Sequence, residues 1–154
     1  PGADDRLRKM RDEPSEDEPQ VVLLAATDPA QPYGAALAWP THEHGRPERA
    51  AGSRVIIGDG RLLGQLGRTG QTLLTFLPED EPERSTAIAQ LLYGLEMVLD
   101  RAPRQGRGAR ALLLTKIDGG DPREHHLFDA LHERGFRPSQ RGLLLRKVDR
   151  LRHA

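Results

Sequence analysis

Between residues 54 and 76 the chain alternates short apolar runs with glycine-bearing turns, and this pattern leaves few folds open. The runs 54–58, 61–66 and 71–76 are rich in Val, Ile and Leu and have the length of strands. Asp59-Gly60 separates the first two. A two-residue hairpin of type I′ needs positive φ at both central positions, and Asp-Gly supplies it. Gly67-Arg68-Thr69-Gly70 separates the second and third. Three strands joined this tightly must form an antiparallel meander. The short strands predict a strongly bent sheet or a small β-barrel.

The flanking segments complete the class. Residues 20–26 form an apolar run that reads as a buried strand. Residues 27–52 carry prolines at 29, 32, 40 and 47 and cannot hold a regular element. A helix is expected over about 83–100. There Ile88, Leu91, Leu92, Leu95, Val98 and Leu99 recur on one face, and acids around Pro82 suit the positive end of its dipole. Another strand is expected at 111–116. Asp121-Pro122-Arg123-Glu124 then reads as an N-cap, a first-turn proline and a capping-box acid. The helix it opens presents Leu127, Phe128 and Leu131, and Gly135 with Phe136 beyond predicts a Schellman ending. A last strand spans 142–148. The order is β, loop, β-β-β, α, β, α, β, which defines an α+β domain: a curved, mostly antiparallel sheet covered by two helices.

Residues 1–19 read differently. A short helix with Leu7 and Met10 precedes an acidic, proline-bearing linker at 12–19, so the chain is expected to begin within a longer protein, with one domain over 20–154. The sequence has no cysteine, which removes disulfides and thiolate metal sites. No apolar stretch approaches a membrane span and no signal peptide is visible, so no membrane partner and a cytoplasmic location are expected. Formal net charge is zero, but residues 101–154 hold thirteen bases against six acids. That Arg-rich end reads either as a phosphate-binding face or as a solvated surface.

Few motifs carry chemistry. Thr115-Lys116-Ile117-Asp118 looks like a guanine-reading loop, but no phosphate-cradling loop accompanies it, and Asp118-Gly119-Gly120-Asp121 reads better as a strand-to-helix turn. Histidines stand at 42, 44, 125, 126, 132 and 153. His125 and His132 would share a helix face. A His-only zinc site is conceivable, but no carboxylate stands at a matching spacing, and exposed histidines are the plainer reading. No serine sits in a nucleophile elbow. Residues 26–40 are the most distinctive. They read as a rigid loop plugged by Tyr33 and Trp39 with Asp28 capping backbone N–H groups. The other reading makes them a nucleic-acid surface with an aromatic stacked on a base. Arg141, Arg146, Lys147, Arg150 and Arg152 suit phosphate contacts, or equally the protection of an edge strand.

Three stretches carry a resemblance. They are Asp28-Pro29-Ala30-Gln31-Pro32-Tyr33-Gly34 continuing to Trp39-Pro40, then Arg49-Ala50-Ala51-Gly52-Ser53-Arg54 through Gly60, then Gly70-Gln71-Thr72-Leu73-Leu74-Thr75-Phe76. With a weaker match at Gly135-Phe136 and 141–146, they resemble the C-terminal domain of the bacterial large helicase-related proteins. Ala38 departs from the pattern, where a proline is expected before Trp39-Pro40. The resemblance implies an accessory module of an ATP-dependent 3′-to-5′ DNA helicase linked to DNA repair. It implies a motor elsewhere that uses ATP and Mg²⁺, with no cofactor in this segment. It implies winged helices before a terminal β-barrel, partners in single-stranded or 3′-tailed DNA and in the preceding domains, and homo-oligomer assembly. Uracil excision has also been connected with this region. Such a reaction flips the base out and needs a carboxylate, for which Asp28 and Asp149 are the candidates. A purely structural interaction domain is the remaining alternative.

Overall fold

The computed structural model describes residues 20–104 and 109–148. The helix and linker expected before residue 20 lie outside the described residues, as do Asp149, Arg150 and Arg152. The meander forms as the turns require. Strands β1 (Val21–Ala25), β2 (Arg54–Gly58), β3 (Arg61–Leu66) and β4 (Thr72–Thr75) pair antiparallel in that order. Asp59 and Gly60 have φ of 50° and 80°, the positive pair of a type I′ turn. The β2–β3 register slips between Ile56 and Ile57, so Leu63 bulges and the sheet bends there.

Helix α1 (Glu83–Arg101) lies across this sheet, and Leu91, Leu95, Val98 and Leu99 point into the main core. A Cβ on Gly94 would overlap Ile56 Cγ2, so glycine at that position allows the close approach of helix to strand. Strand β5 (Ala109–Leu114) follows and pairs with β8 (Leu143–Val148). That strand in turn pairs with the short β7 (Arg137–Pro138), giving a second, three-stranded sheet. Leu112, Leu114, Leu143 and Leu145 pack into the same core as α1.

The strand expected at 111–116 is divided between the two sheets. It leaves the second sheet after Leu114. Thr115 and Lys116 donate their N–H groups to Gln71 O, and Lys116–Ile117 becomes β6, parallel to β4. The five-stranded sheet is therefore mixed, and it is open, with β1 and β6 at its edges. The α+β class stands, but the small-barrel alternative does not. At two residues β6 is too short to carry closure, and a guanidinium N–H of Arg101 donates to Leu23 O at the edge of β1. Strand β1 is accordingly only half-buried rather than fully buried, with Val22 exposed.

The second expected helix is also divided. Asp121 caps as its sequence suggests, its carboxylate accepting from the Arg123 N–H, but the turn it opens is a 3₁₀ turn, Pro122–Glu124. His125 is extended, and α2 runs only over Phe128–Glu133. His125 and His132 therefore do not share a helix face. The ending is as expected: the Phe136 N–H donates to Leu131 O and the Gly135 N–H to His132 O, the paired bonds of a Schellman motif.

The long loop 27–52 covers the other face of the meander. Tyr33, Trp39 and Phe76 pack over Ala26, Val55, Ile57 and Leu62. This explains why β2 is apolar on both faces: Ile56 meets the helix, while Val55 and Ile57 meet the loop.

Candidate nucleic-acid interface

The loop is held from within. Arg49 donates to the carbonyls of Asp28, Gln31 and Tyr33, and the buried Gln31 side chain donates to Ala26 O and Tyr33 O. The Tyr33 hydroxyl accepts from the Leu62 N–H and donates to Gly60 O, and the ring stacks on Trp39 at 6.1 Å. Both aromatics pack against the sheet and both remain partly exposed. The Asp28 carboxylate accepts from the Ala30 N–H in a tight local turn.

A second polar centre gathers around Asp118, which sits at φ 53° just after β6. Its Oδ1 accepts from the Thr75 N–H at 2.7 Å and bonds His42 Nε2 at 2.9 Å. Oδ2 accepts from the Thr75 hydroxyl at 2.7 Å and bonds His125 Nε2 at 2.8 Å. Burial acts to raise this carboxyl, but the bonds from His125, Thr75 and His42 outweigh it. Together they hold Asp118 well below the usual carboxylate range. Each ring is also fixed at its other nitrogen. His42 Nδ1 accepts from the His44 N–H, and His125 Nδ1 accepts from the Leu127 N–H. Both imidazoles therefore carry a proton on Nε2, and neither has a lone pair free for a metal or a substrate proton. Asp118 is similarly saturated. The cluster ties β4, loop 27–52 and the start of the α2 region together, and it is built for holding rather than for proton transfer.

This centre was missed in the sequence, where Asp118 reads as a turn residue and the histidines as exposed. The turn reading is correct locally. The exposure reading holds for His44 and His132, but His42 and His125 are buried side chains, 8% and 9% exposed. The proline-bearing capping sequence right before His125 is the one local signal that its backbone would leave the helix early.

The basic residues divide sharply. Lys147 is paired with Asp100 at 2.6 Å in an exposed ion pair. Arg146 is exposed on the face of β8 opposite to the buried Leu143 and Leu145. Arg141, exposed in the β7–β8 turn, reaches Gln71 Oε1 at 3.5 Å. It stands at the rim of a cleft of about 450 Å³ where the two sheets meet. Arg54 from the start of β2 and Arg101 from the end of α1 line the same cleft, and no acidic residue among the described ones does. Arg54 is half-buried, and its guanidinium makes no hydrogen bond or ion pair among the described residues. Burial, and then the like charge of Arg101, push its guanidinium below the usual arginine range. Among the described residues, Arg141 is the one expected phosphate-contact residue that lines a concave site. Arg54 joins it from outside the C-terminal span of charge excess, and Arg101 from the first position of that span.

The chain is an α+β domain with an arginine-lined cleft between its two sheets. Comparison with known proteins gives the family. The chain is 40% identical over 152 residues to a protein of Mycolicibacterium smegmatis named "Lhr helicase/ probable uracil glycosylase", covering 92% of this chain. It is 30% identical over 141 residues to the "Lhr helicase/uracil glycosylase" of Escherichia coli, covering 90% of this chain. The chain belongs to the Lhr helicase family, and it spans 9% of the length of each of these two relatives. No family model matches it.

Proposed function

We propose that this domain is a nucleic-acid-holding accessory module of a helicase, acting through the cleft formed by Arg54, Arg101 and Arg141. The observation that carries this reading is Arg54. A half-buried guanidinium without a carboxylate, beside a second arginine, is hydrated only in part, and a bound anion would offset its desolvation and repulsion. Phosphate is the anion a helicase segment meets. DNA, single-stranded or 3′-tailed, is the partner in this reading, with ATP and Mg²⁺ used by motor domains elsewhere in the parent chain. Packing against those domains and homo-oligomer assembly belong to the same proposal.

The test is DNA binding across a salt series. Each phosphate neutralised by a basic side chain adds about 0.7 to 0.9 to the slope of log affinity against log salt. Arg54→Gln with Arg141→Gln is expected to weaken binding and flatten that slope, while Lys147→Gln, which removes only an exposed ion pair, leaves it unchanged. An unaltered slope in the double variant would remove the cleft from the interface.

A second reading is favoured by the relatives' names, which pair helicase with uracil glycosylase. Hydrolysis of the uracil N-glycosidic bond adds water to the sugar C1′ and releases the base with a proton. Asp28 and Asp149 are the candidate carboxylates: Asp28 accepts one N–H at Oδ1 in its own turn, and Asp149 lies outside the described residues. Uracil-bearing single-stranded DNA would yield an abasic product, and Asp149→Asn would abolish it. Product formed equally by Asp149→Asn would exclude that residue.

A further inference from the structure

We infer that the Arg54 cleft is a pocket for a nucleoside phosphomonoester, the phosphorylated end of a strand or a free nucleotide, rather than a groove for the middle of a strand. The inference rests on the nucleic-acid reading above and narrows it. Its first support is charge. Three arginines line one volume, with no acid among its described lining residues. An internal phosphodiester brings one negative charge, whereas a phosphomonoester brings about 1.5 to 2 at neutral pH. The dianion is the better match to a site where Arg54 and Arg101 already repel one another.

Shape is the second support. The cleft is walled by the start of β2, the β3–β4 turn, the end of α1, strand β5 and the β7–β8 turn. These walls come from both sheets and from α1, so the site is a concave cleft and not a flat face. At about 450 Å³ the volume falls in the range of small-ligand sites, roughly 300 to 1,000 Å³. The partly exposed Leu113 and Leu144 give it an apolar side on which a sugar or base can rest, next to guanidinium planes that stack on bases.

The third support is the β3–β4 turn. Gly70 has φ 74°, and a Cβ there would lie 3.5 Å from an Arg54 terminal nitrogen, so the guanidinium is laid directly along this turn. Thr69 lines the pocket, and its hydroxyl oxygen accepts from the Gln71 N–H. The hydroxyl proton is therefore available to donate to a phosphate oxygen. Arginine, hydroxyl and a glycine turn converge on one place, as a compact anion requires.

The experiment measures affinity of the full chain for one short single-stranded oligonucleotide carrying a 5′-phosphate, a 3′-phosphate or hydroxyls at both ends, at fixed salt. A fourth arm titrates a nucleoside 5′-monophosphate alone. The end phosphate is expected to tighten binding about tenfold, and Arg54→Gln to erase that difference. Gln removes no hydrogen bond seen for Arg54, and thermal melting verifies that the variant is folded. Arg141→Gln, in an exposed turn, provides a second variant with the same expected direction. Mononucleotide binding that displaces the phosphorylated oligonucleotide would assign the pocket to free nucleotides, and preference for the phosphorylated strand would assign it to strand ends. Equal affinity for phosphate and hydroxyl ends, with all arms weakened by Arg54→Gln, would overturn the pocket while leaving a backbone-binding cleft. Indifference of every arm to both variants would overturn the cleft as well.

Discussion

Replacing Asp118 by Asn tests the reasoning about the buried cluster at the level of single hydrogen bonds. Asn is nearly isosteric and tolerates the positive φ of 53° about as well as Asp, so the backbone is not perturbed. What changes is that one acceptor becomes an NH₂ donor. Placed at Oδ1, the amide would face two N–H groups, those of Thr75 and His42, and neither can become an acceptor. Placed at Oδ2 it would face the Thr75 hydroxyl, which can rotate to accept, and His125 Nε2–H, which cannot turn acceptor because its Nδ1 already takes the Leu127 N–H. The second orientation wins, and it leaves one buried ring donor opposed by a donor. An unsatisfied buried group costs about 1–3 kcal/mol. The bonds that remain lose their charge assistance, about 1 kcal/mol each. Relief of the buried carboxylate's desolvation offsets part of this. The expected net loss is about 2–4 kcal/mol, read as a shift in the urea midpoint with an unchanged slope. Nitrogen NMR of the rings should show His125 released while His42 keeps its Nε2 proton. A loss under about 1 kcal/mol, or release of His42 in place of His125, would refute the account.

The same carboxylate sets an acid limit. Its folded-state pKa is depressed, so its contribution is full above the ordinary carboxyl value of 3.8 and is lost as pH falls below it towards the folded value. The stability gap between wild type and Asp118→Asn should therefore be constant at pH 5–7 and shrink below about pH 4 in urea titrations; a gap that widened there would contradict the sign. Arg54→Met removes a half-buried unpaired charge and its repulsion with Arg101, so it should raise stability by up to about 1 kcal/mol, or about 3 °C in melting temperature, while weakening phosphate binding. Melting scans with and without added phosphate would check this, and a fall in melting temperature would count against an unpaired Arg54. Gly142→Ala drives a Cβ into Leu114 O, backbone against backbone, and is expected to cost more than about 3 kcal/mol; recovery of a normally stable variant would show that β5 and β8 have room to separate.

Local chemistry was legible and distant chemistry was not. The Asp59-Gly60 turn, the Schellman ending at Gly135 and the apolar face of α1 each depend on residues a few positions apart, and each formed as its spacing required. Asp118 depends on Thr75, 43 positions away, and on His42, 76 positions away, so nothing in its neighbourhood announced a buried carboxylate. The division of residues 111–117 between two sheets likewise depends on Gln71 O accepting from Thr115 and Lys116. Periodicity read that stretch as one strand because each half is apolar. Charge counting missed Arg54 for a related reason. It lies where acids outnumber bases, and its isolation is visible only once the sheets have brought Arg101 and Arg141 to it while bringing no carboxylate.

That contrast between the two buried charges bears on what the domain does. Asp118 is charged and enclosed, but every lone pair in its plane is used by the protein itself, so its charge serves the fold and has nothing left for a ligand. Arg54 is charged, half-enclosed and unanswered, so its charge is a standing cost that the fold does not recover. A charge compensated internally and a charge left open are physically opposite arrangements, although both fall on strand or turn positions beside the same sheet. The open one lines a cleft with Arg101 and Arg141. That is why the proposed phosphate is placed at Arg54 and not at Asp118. The saturated Asp118 cluster holds the covering loop and β4 in place on the same sheet from which Arg54 projects.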